Sequence, residues 1–140
     1  MNDLAKVASI NLQTFPEPER GTLTVVESDH SIPFSIARIF YIYGVKKDWE
    51  RGAHAHRELK QAFIAISGSF TLSVTDAHEA KTYAVREPNV AIYVPPMIWA
   101  RVYNFSDNAV CLVLTSSPYD PADYIRDWDE FVAAVGVKSQ

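Results

Sequence analysis

The chain has 140 residues, of which 48% are hydrophobic and 21% are charged. These values are typical of one globular domain and exclude a disordered chain or a long coiled coil. The formal net charge of −4 argues against nucleic acid as a partner, and no apolar run reaches the ~18 residues of a membrane-spanning helix. The single cysteine, Cys111, excludes a disulfide within the chain and fits a reducing compartment, so we expect one cytoplasmic domain over residues 1–140.

Apolar residues alternate with polar ones through most of the chain, which predicts strands rather than helices. The clearest case is residues 69–75, where Phe70, Leu72 and Val74 predict one buried face and the residues between them an exposed one. In chain order, the predicted strands are residues 22–27, 34–43, 61–66, 69–75, 91–94, 99–105 and 109–115. Turn residues recur about every 8–12 positions, a spacing typical of an all-β sandwich or barrel.

Only the carboxyl end of the chain has a helical pattern. Asp120 is suited to cap a helix, and Pro121 is suited to its first position. Four apolar residues then follow at helical spacing: Trp128, Phe131, Val132 and Val135. Gly136 fits a helix end, so we predict a short helical segment over residues 120–136, packed outside the β domain. The acidic residues of this segment are interpreted as a helix start and a solvated face: Asp120, Asp123, Asp127, Asp129 and Glu130.

The most distinctive stretch of the sequence is residues 51–56, which contains two histidines two positions apart. On a strand, His54 and His56 point to the same face, because side chains alternate. Two surface histidines on an edge strand are the ordinary explanation of such a pair. Arg51 before the pair and Gln61 after it favour a functional site at the mouth of a barrel instead.

The spacing of His54, His56, Gln61 and Gly68 resembles the first motif of the cupin superfamily. Pro95 and Asn104 match the second cupin motif, but Ala100 stands where that motif has a histidine. The resemblance implies a single all-β, jelly-roll barrel. Metal-binding cupins use two histidines, a glutamate and the last histidine, and two of these positions here are Gln61 and Ala100. An amide binds divalent metals poorly and alanine binds none, so we expect no metal.

Four stretches, spread over nearly the whole chain, carry a closer resemblance. They are residues 32–36 with 40–41, residues 51–56 with Gln61, residues 94–96 with Trp99, and residues 119–120 with 123–126. Together they resemble the sugar 3,4-ketoisomerases that act on dTDP-4-keto-6-deoxyglucose. The resemblance implies a homodimer without metal or other cofactor. In this family the product of the reaction is a 3-keto sugar nucleotide, which would go to an aminotransferase on the way to 3-amino-3,6-dideoxyhexoses of surface glycans.

The reaction implied by this resemblance suits the histidine pair. Moving a ketone from C4 to C3 removes the C3 proton, passes through an enediol and returns a proton to C4. Histidine has a pKa near the working pH, so His54 and His56 are the predicted catalytic acid and base, with their division of labour left open. Tyr41 matches the family's active-site tyrosine, and we predict that its hydroxyl polarises the ketone or relays a proton.

Five further residues are predicted to bind the dTDP-linked 4-keto-6-deoxyhexose: Arg51, Arg20, Gln61, Trp99 and Asn104. The two arginines suit a diphosphate, because a guanidinium group binds such anions through two parallel hydrogen bonds. The Gln61 amide could hydrogen-bond the sugar or fix the tautomer of a histidine. Trp99 could stack on the base or fill the barrel end, and Asn104 could contact the ligand or form a turn.

Ala100 also departs from the ketoisomerase pattern, because family members often have a histidine directly after the tryptophan. We therefore expect the chemistry to depend on His54, His56 and Tyr41, or the substrate to differ. Three other functions stay open: a 3,5-epimerase on the same substrate, a non-catalytic cupin that binds a sugar nucleotide, and a metal-dependent dioxygenase. The second histidine and the short chain favour the ketoisomerase over the epimerase.

Overall fold

Strands dominate the computed structural model, which describes residues 3–136. In chain order the strands are β1 Ala8–Asn11, β2 Gln13–Glu17, β3 Gly21–Val25, β4 Arg38–Tyr43, β5 Arg51–His56, β6 Gln61–Ser67, β7 Phe70–Thr75, β8 Ala80–Val85, β9 Val90–Val94, β10 Trp99–Tyr103, β11 Val110–Thr115 and β12 Tyr124–Ile125. One α-helix, α1, covers Trp128–Val135, and short 3₁₀ turns cover Asp3–Lys6 and Pro121–Asp123. No helix in this part of the chain is long and apolar enough to span a membrane.

The strands form two five-stranded antiparallel sheets and a separate hairpin. The first sheet has the order β1-β9-β6-β11-β4, and the second has the order β12-β5-β10-β7-β8. From β4 to β11 the chain crosses between the sheets at every connection except the β7–β8 hairpin, which is the order of a double-sheet jelly roll. This confirms the predicted all-β class, although the two hydrogen-bond ladders stay separate and do not close into one barrel. The hairpin of β2 and β3 pairs only with itself.

The main core lies between the two sheets, where alternate side chains of each strand meet. Phe63, Leu72, Val74, Val102 and Val113 belong to this core, and each is buried. A second apolar cluster covers the outer face of the first sheet. Its buried members are Leu12, Ile32, Phe34, Ala62, Ile64, Ala91 and Leu114. Each such buried aliphatic or aromatic side chain contributes about 1.5–3 kcal/mol.

The predicted strands are mostly found, but the one predicted over residues 34–43 begins only at Arg38. Phe34 and Ile36 instead pack in the second cluster, on the outer face of the first sheet. The Ser28 hydroxyl accepts a hydrogen bond of 2.9 Å from the Ile36 N–H, which holds this segment outside the sheet. Strands β1, β2 and β8 were not predicted.

The carboxyl-terminal segment corrects the prediction of a helix from residue 120. Asp120 caps only the 3₁₀ turn, where its carboxylate accepts a hydrogen bond of 3.0 Å from the Ala122 N–H. The chain then extends as β12, because it pairs there with Ala55 and His56 of β5. The α-helix begins after Asp127, whose carboxylate caps it, and ends at Gly136 as predicted.

Candidate active site

A cavity of about 450 Å³ lies among β4, β5, β6, β10 and β12, with residues of both sheets in its walls. Its walls combine apolar side chains of the core with histidine, arginine, tyrosine and glutamine. His54 and His56 both line it, as the alternation of side chains on β5 predicts. This combination of apolar walls and a few converging polar groups is typical of a ligand site.

The imidazoles of His54 and His56 lie side by side, with ring centroids 4.9 Å apart and planes nearly perpendicular. His54 Nδ1 is 2.8 Å from the main-chain carbonyl oxygen of Gly52. Because a carbonyl oxygen only accepts hydrogen bonds, Nδ1 of the neutral ring must carry the proton. Nε2 of His54 therefore has a free lone pair and can act as a base.

His56 is almost fully buried, and its Nδ1 lies 3.1 Å from Oδ2 of Asp123. The Asp123 carboxylate also accepts main-chain hydrogen bonds of 2.8 Å from Glu58 and 3.3 Å from Leu59. From the sequence, Asp123 belonged to a group of acidic residues interpreted as a helix start and a solvated face. That interpretation is wrong for Asp123, because the 3₁₀ turn brings it to the end of β5.

Both histidines are held neutral at pH 7 by their surroundings. The pKa of His56 is lowered from 6.5 to about 4, first by burial and second by the nearby His54, while the hydrogen bond and charge of Asp123 oppose this shift. Burial also lowers the pKa of His54, against the opposing hydrogen bond to Gly52. The positive charge of Arg126 lowers the pKa of both rings. Two neutral imidazoles therefore face one cavity.

Tyr124 of β12 lies against both imidazoles. Its ring centroid is 4.8 Å from that of His54 and 4.3 Å from that of His56. The guanidinium group of Arg126 lies 4.0 Å from the same ring, and Tyr119 packs 5.7 Å from it. The sequence predicted no role for these residues, and the only signal for them was the family-like pattern at residues 119–120 and 123–126.

Four arginines line the cavity, although the chain as a whole is acidic: Arg38, Arg51, Arg101 and Arg126. Only Arg51 was predicted to be at the site. The Arg101 side chain donates a hydrogen bond of 2.9 Å to Glu50 and lies on the face of β10 opposite to the buried Ala100 and Val102, so its guanidinium group points away from the histidines. Arg38 lies 5.3 Å from the ring centroid of Tyr119. Such a concentration of guanidinium groups suits an anion with several oxygens, such as a diphosphate.

Gln61 also lines the cavity, as predicted, and its side chain is buried. It occupies the position where metal-binding cupins have a carboxylate. Within residues 3–136, no group of three or more His, Cys, Asp or Glu side chains is arranged to hold a metal ion.

Tyr41 borders the cavity, but its ring is 61% exposed and stacks on Tyr43 with centroids 5.9 Å apart. Phe40 and Ile42, its neighbours on β4, pack against the core between the sheets. Because side chains alternate on a strand, the Tyr41 ring points to the opposite, outer face. The predicted role of the Tyr41 hydroxyl in polarising the ketone or relaying a proton stays a prediction.

Three other predicted binding residues lie away from the cavity. Trp99 packs against Trp128 and Phe131 of the helix, with centroids 5.3 and 5.6 Å away, so it lies between the second sheet and the helix rather than at the barrel end. Asn104 is at the end of β10, where its amide donates a hydrogen bond of 3.4 Å to Thr71. Arg20 is in the turn between β2 and β3 and forms an ion pair with Glu17. None of the three contributes to the walls of the cavity described above.

Comparisons with known proteins agree in pointing to one family. Residues 5–136 match the family model described as "FdtA: WxcM-like, C-terminal". A TDP-4-oxo-6-deoxy-alpha-D-glucose-3,4-oxoisomerase from Aneurinibacillus thermoaerophilus is 38% identical over 112 residues, which cover 80% of this chain and 81% of that protein.

Solved structures of related proteins share the whole fold. QdtA, a sugar 3,4-ketoisomerase from Thermoanaerobacterium thermosaccharolyticum in complex with TDP, matches with a TM-score of 0.91 and 36% identity over 94% of this chain and 96% of that one. A variant of QdtA in complex with TDP-4-keto-6-deoxyglucose matches with a TM-score of 0.89 and 35% identity over 92% of this chain and 93% of that one. A 3,4-ketoisomerase from Helicobacter canadensis matches with a TM-score of 0.89 and 39% identity over 92% of this chain and 96% of that one.

Proposed function

The chain belongs to the FdtA family, and on that premise we propose that it converts dTDP-4-keto-6-deoxyglucose to the 3-keto-6-deoxyhexose nucleotide. The observation that carries this proposal is the pair of neutral imidazoles, His54 and His56, at one arginine-rich cavity. The relatives supply the substrate, since QdtA was solved with TDP and, as a variant, with TDP-4-keto-6-deoxyglucose.

The proposed reaction needs two proton transfers and no external reactant. One proton leaves C3 and returns at C4, and one hydroxyl proton leaves O3 and arrives at O4, while the ketone moves from C4 to C3. Each transfer needs a group that starts unprotonated, accepts a proton and gives it back. Two neutral imidazoles, His54 and His56, meet this requirement, and their lowered pKa values support it. The order in which each acts is left open.

We propose that the arginines of the cavity bind the diphosphate of the substrate. Arg51, Arg38 and Arg126 would together neutralise it and draw the anion to a protein of net charge −4. Gln61, buried beside them, would hydrogen-bond the sugar. The enediolate that forms during isomerisation is also negative, so a neighbouring guanidinium group would stabilise it.

The proposal includes a homodimer and a cytoplasmic location. The homodimer is supported by an apolar patch on the outer face of the first sheet, where Ile39, Tyr41, Tyr43 and Ile66 are about half exposed or more. Phe15 and Leu23 are similarly exposed on the β2–β3 hairpin. Because Arg20 lies on this hairpin and away from the cavity of its own chain, its predicted contact with substrate requires the cavity of a partner subunit.

The decisive experiment is proton NMR of the purified protein with dTDP-4-keto-6-deoxyglucose in deuterated buffer, after chelator treatment. Ketoisomerisation predicts loss of the C3 proton signal and growth of a 3-keto product with deuterium at C4. The coupling between C4 and C5 in a product formed before exchange is complete gives the C4 configuration.

Other outcomes of that experiment would replace the proposal. Exchange at C3 and C5 with the ketone still at C4 would indicate an epimerase. Broadened nucleotide signals without turnover would indicate a binding protein. His54→Asn and His56→Asn should each reduce turnover by about 10²–10⁴-fold while leaving TDP affinity nearly unchanged, since neither imidazole is proposed to bind the phosphates.

A further inference from the structure

Hydrogen bonds to the residues that follow β5 fix the position of Asp123. Its two side-chain oxygens accept them from the main-chain N–H groups of Glu58 and Leu59, the second and third residues after β5. Its own carbonyl oxygen accepts a hydrogen bond of 2.9 Å from the Arg57 N–H. Three consecutive residues after His56 are thus bonded to Asp123, so its carboxylate has a fixed position relative to that ring.

This fixed carboxylate decides which nitrogen of His56 carries the proton. Oδ2 of Asp123 accepts a hydrogen bond from Nδ1 of His56 at 3.1 Å. An ionised carboxylate has no hydrogen to donate, so the neutral ring keeps its proton on Nδ1 and leaves Nε2 unprotonated. The carbonyl oxygen of Gly52 imposes the same tautomer on His54. Both rings are thereby prepared as proton acceptors at Nε2.

We propose that Asp123 is a positioning residue, which holds His56 in the Nδ1-protonated tautomer with Nε2 ready to accept a proton in the cavity. Asp123 does not line the cavity and acts only through His56. The proposal rests on the isomerase function for its effect on turnover, but the tautomer itself is a property of the protein without substrate. An incorrect tautomer of His56 can therefore be distinguished from an incorrect assignment of the isomerase function.

Asp123→Asn is the most informative substitution, because it keeps the size of the side chain. The asparagine amide has one oxygen, and the shorter main-chain bond, from Glu58 at 2.8 Å, should hold that oxygen at the Oδ1 position. The NH₂ group then takes the Oδ2 position, where it donates to Nδ1 of His56 and gives up the weaker, 3.3 Å bond from the Leu59 N–H. This reversal forces the His56 proton onto Nε2, which is the wrong tautomer for a base.

The test is long-range ¹H–¹⁵N correlation NMR of the ¹⁵N-labelled full chain at pH 7.5, with His56 assigned by its absence in His56→Gln. In the wild-type protein, Nδ1 should give a protonated-type signal and Nε2 an unprotonated one, and D123N should exchange the two. A wild-type His56 protonated on Nε2 would overturn the proposal, even where D123N fails to fold. Asp123→Ala removes both oxygens, so a His56 that stays fully in the Nδ1-protonated tautomer in that variant would overturn it as well.

Turnover gives a second, independent readout. D123N should lower kcat by about 10²–10⁴-fold, the range expected for a base in the wrong tautomer, with TDP affinity within about twofold of wild type. The matched control is Asp120→Asn in the same turn, where asparagine is an equally good cap and both tautomer and kcat should stay unchanged. A loss of kcat in D123N with the wild-type tautomer retained would assign Asp123 a purely structural role.

Discussion

The rings of Tyr41 and Tyr43 stack with their centroids 5.9 Å apart on the outer face of β4. β4 is an edge strand of the first sheet, and both rings are more than 60% exposed. An exposed apolar edge of this kind is a common site of association between chains. The same face carries Ile39, which is 55% exposed, so the pair is part of a larger patch.

We predict that this patch is the dimer interface. Replacing Ile39 and Tyr43 together by glutamate buries two charges at the interface and should raise the dimer dissociation constant by roughly tenfold or more, as measured by analytical ultracentrifugation. Val132→Glu, at an exposed apolar position on the helix, is the matched control and should not change it. A wild-type protein that sediments as a monomer at micromolar concentration would contradict the prediction.

The orientation of Tyr41 leads to a second prediction, which revises the role expected from the sequence. Its ring is turned away from the histidines, so removal of the hydroxyl in Tyr41→Phe should leave kcat within about twofold of wild type. Steady-state kinetics with dTDP-4-keto-6-deoxyglucose would measure this. A fall of 100-fold or more would restore the hydroxyl to the catalytic machinery.

Local patterns predicted the elements whose two faces differ in exposure. The strand predicted over residues 69–75 matches Phe70–Thr75 to within one residue, because its buried residues alternate with half-buried ones. Ala80–Val85 was missed, because it is the edge strand of the second sheet and most of its residues are exposed on both faces. The helix predicted from residue 120 was wrong because pairing of Tyr124–Ile125 with β5 is a tertiary contact that overrides the local capping signal.

The difference between local sequence patterns and tertiary contacts also explains which parts of the site were predictable. His54 and His56 lie two positions apart on one strand, so their spacing alone indicated a shared cavity. Asp123 and Tyr124 reach the histidines from 67 or more residues later in the chain, by the pairing of β12 with β5. No spacing within a single strand could have predicted that contact.

A third prediction concerns the acid limb of the pH profile of kcat/KM. Protonation of an imidazole abolishes its action as a base, so activity should fall as pH falls through its pKa. The pKa values of His54 and His56 are lowered from 6.5, hence the acid limb should lie below pH 6.5. The groups that face these rings are Tyr124, Asp123 and Arg126.

Arg126→Gln tests the electrostatic part of this expectation. Loss of its positive charge should raise both histidine pKa values and move the acid limb of kcat/KM to higher pH, whatever happens to substrate affinity. Arg57→Gln is the control, because Arg57 is partly exposed and pairs with Glu130. An acid limb at or above pH 6.5 in the wild-type protein would contradict the lowered pKa values.

The final prediction concerns Gly68, the glycine of the first cupin motif, which has a φ of +65°. A Cβ at this position would lie 2.8 Å from the Cα of Ala109 and would also clash with the hydroxyl of Ser106. That hydroxyl cannot move freely, because it accepts a hydrogen bond of 2.9 Å from the Ser69 N–H. Gly68→Ala should therefore combine backbone strain with overpacking and lower the free energy of unfolding by about 2–4 kcal/mol.

Gly44→Ala is the control for the backbone strain alone, because Gly44 has a φ of +71° and no atom lies within 4 Å of the added Cβ. This variant should lower the free energy of unfolding by about 1–2 kcal/mol. Urea denaturation followed by circular dichroism measures both, and equal losses in the two variants would show that crowding at Gly68 contributes nothing.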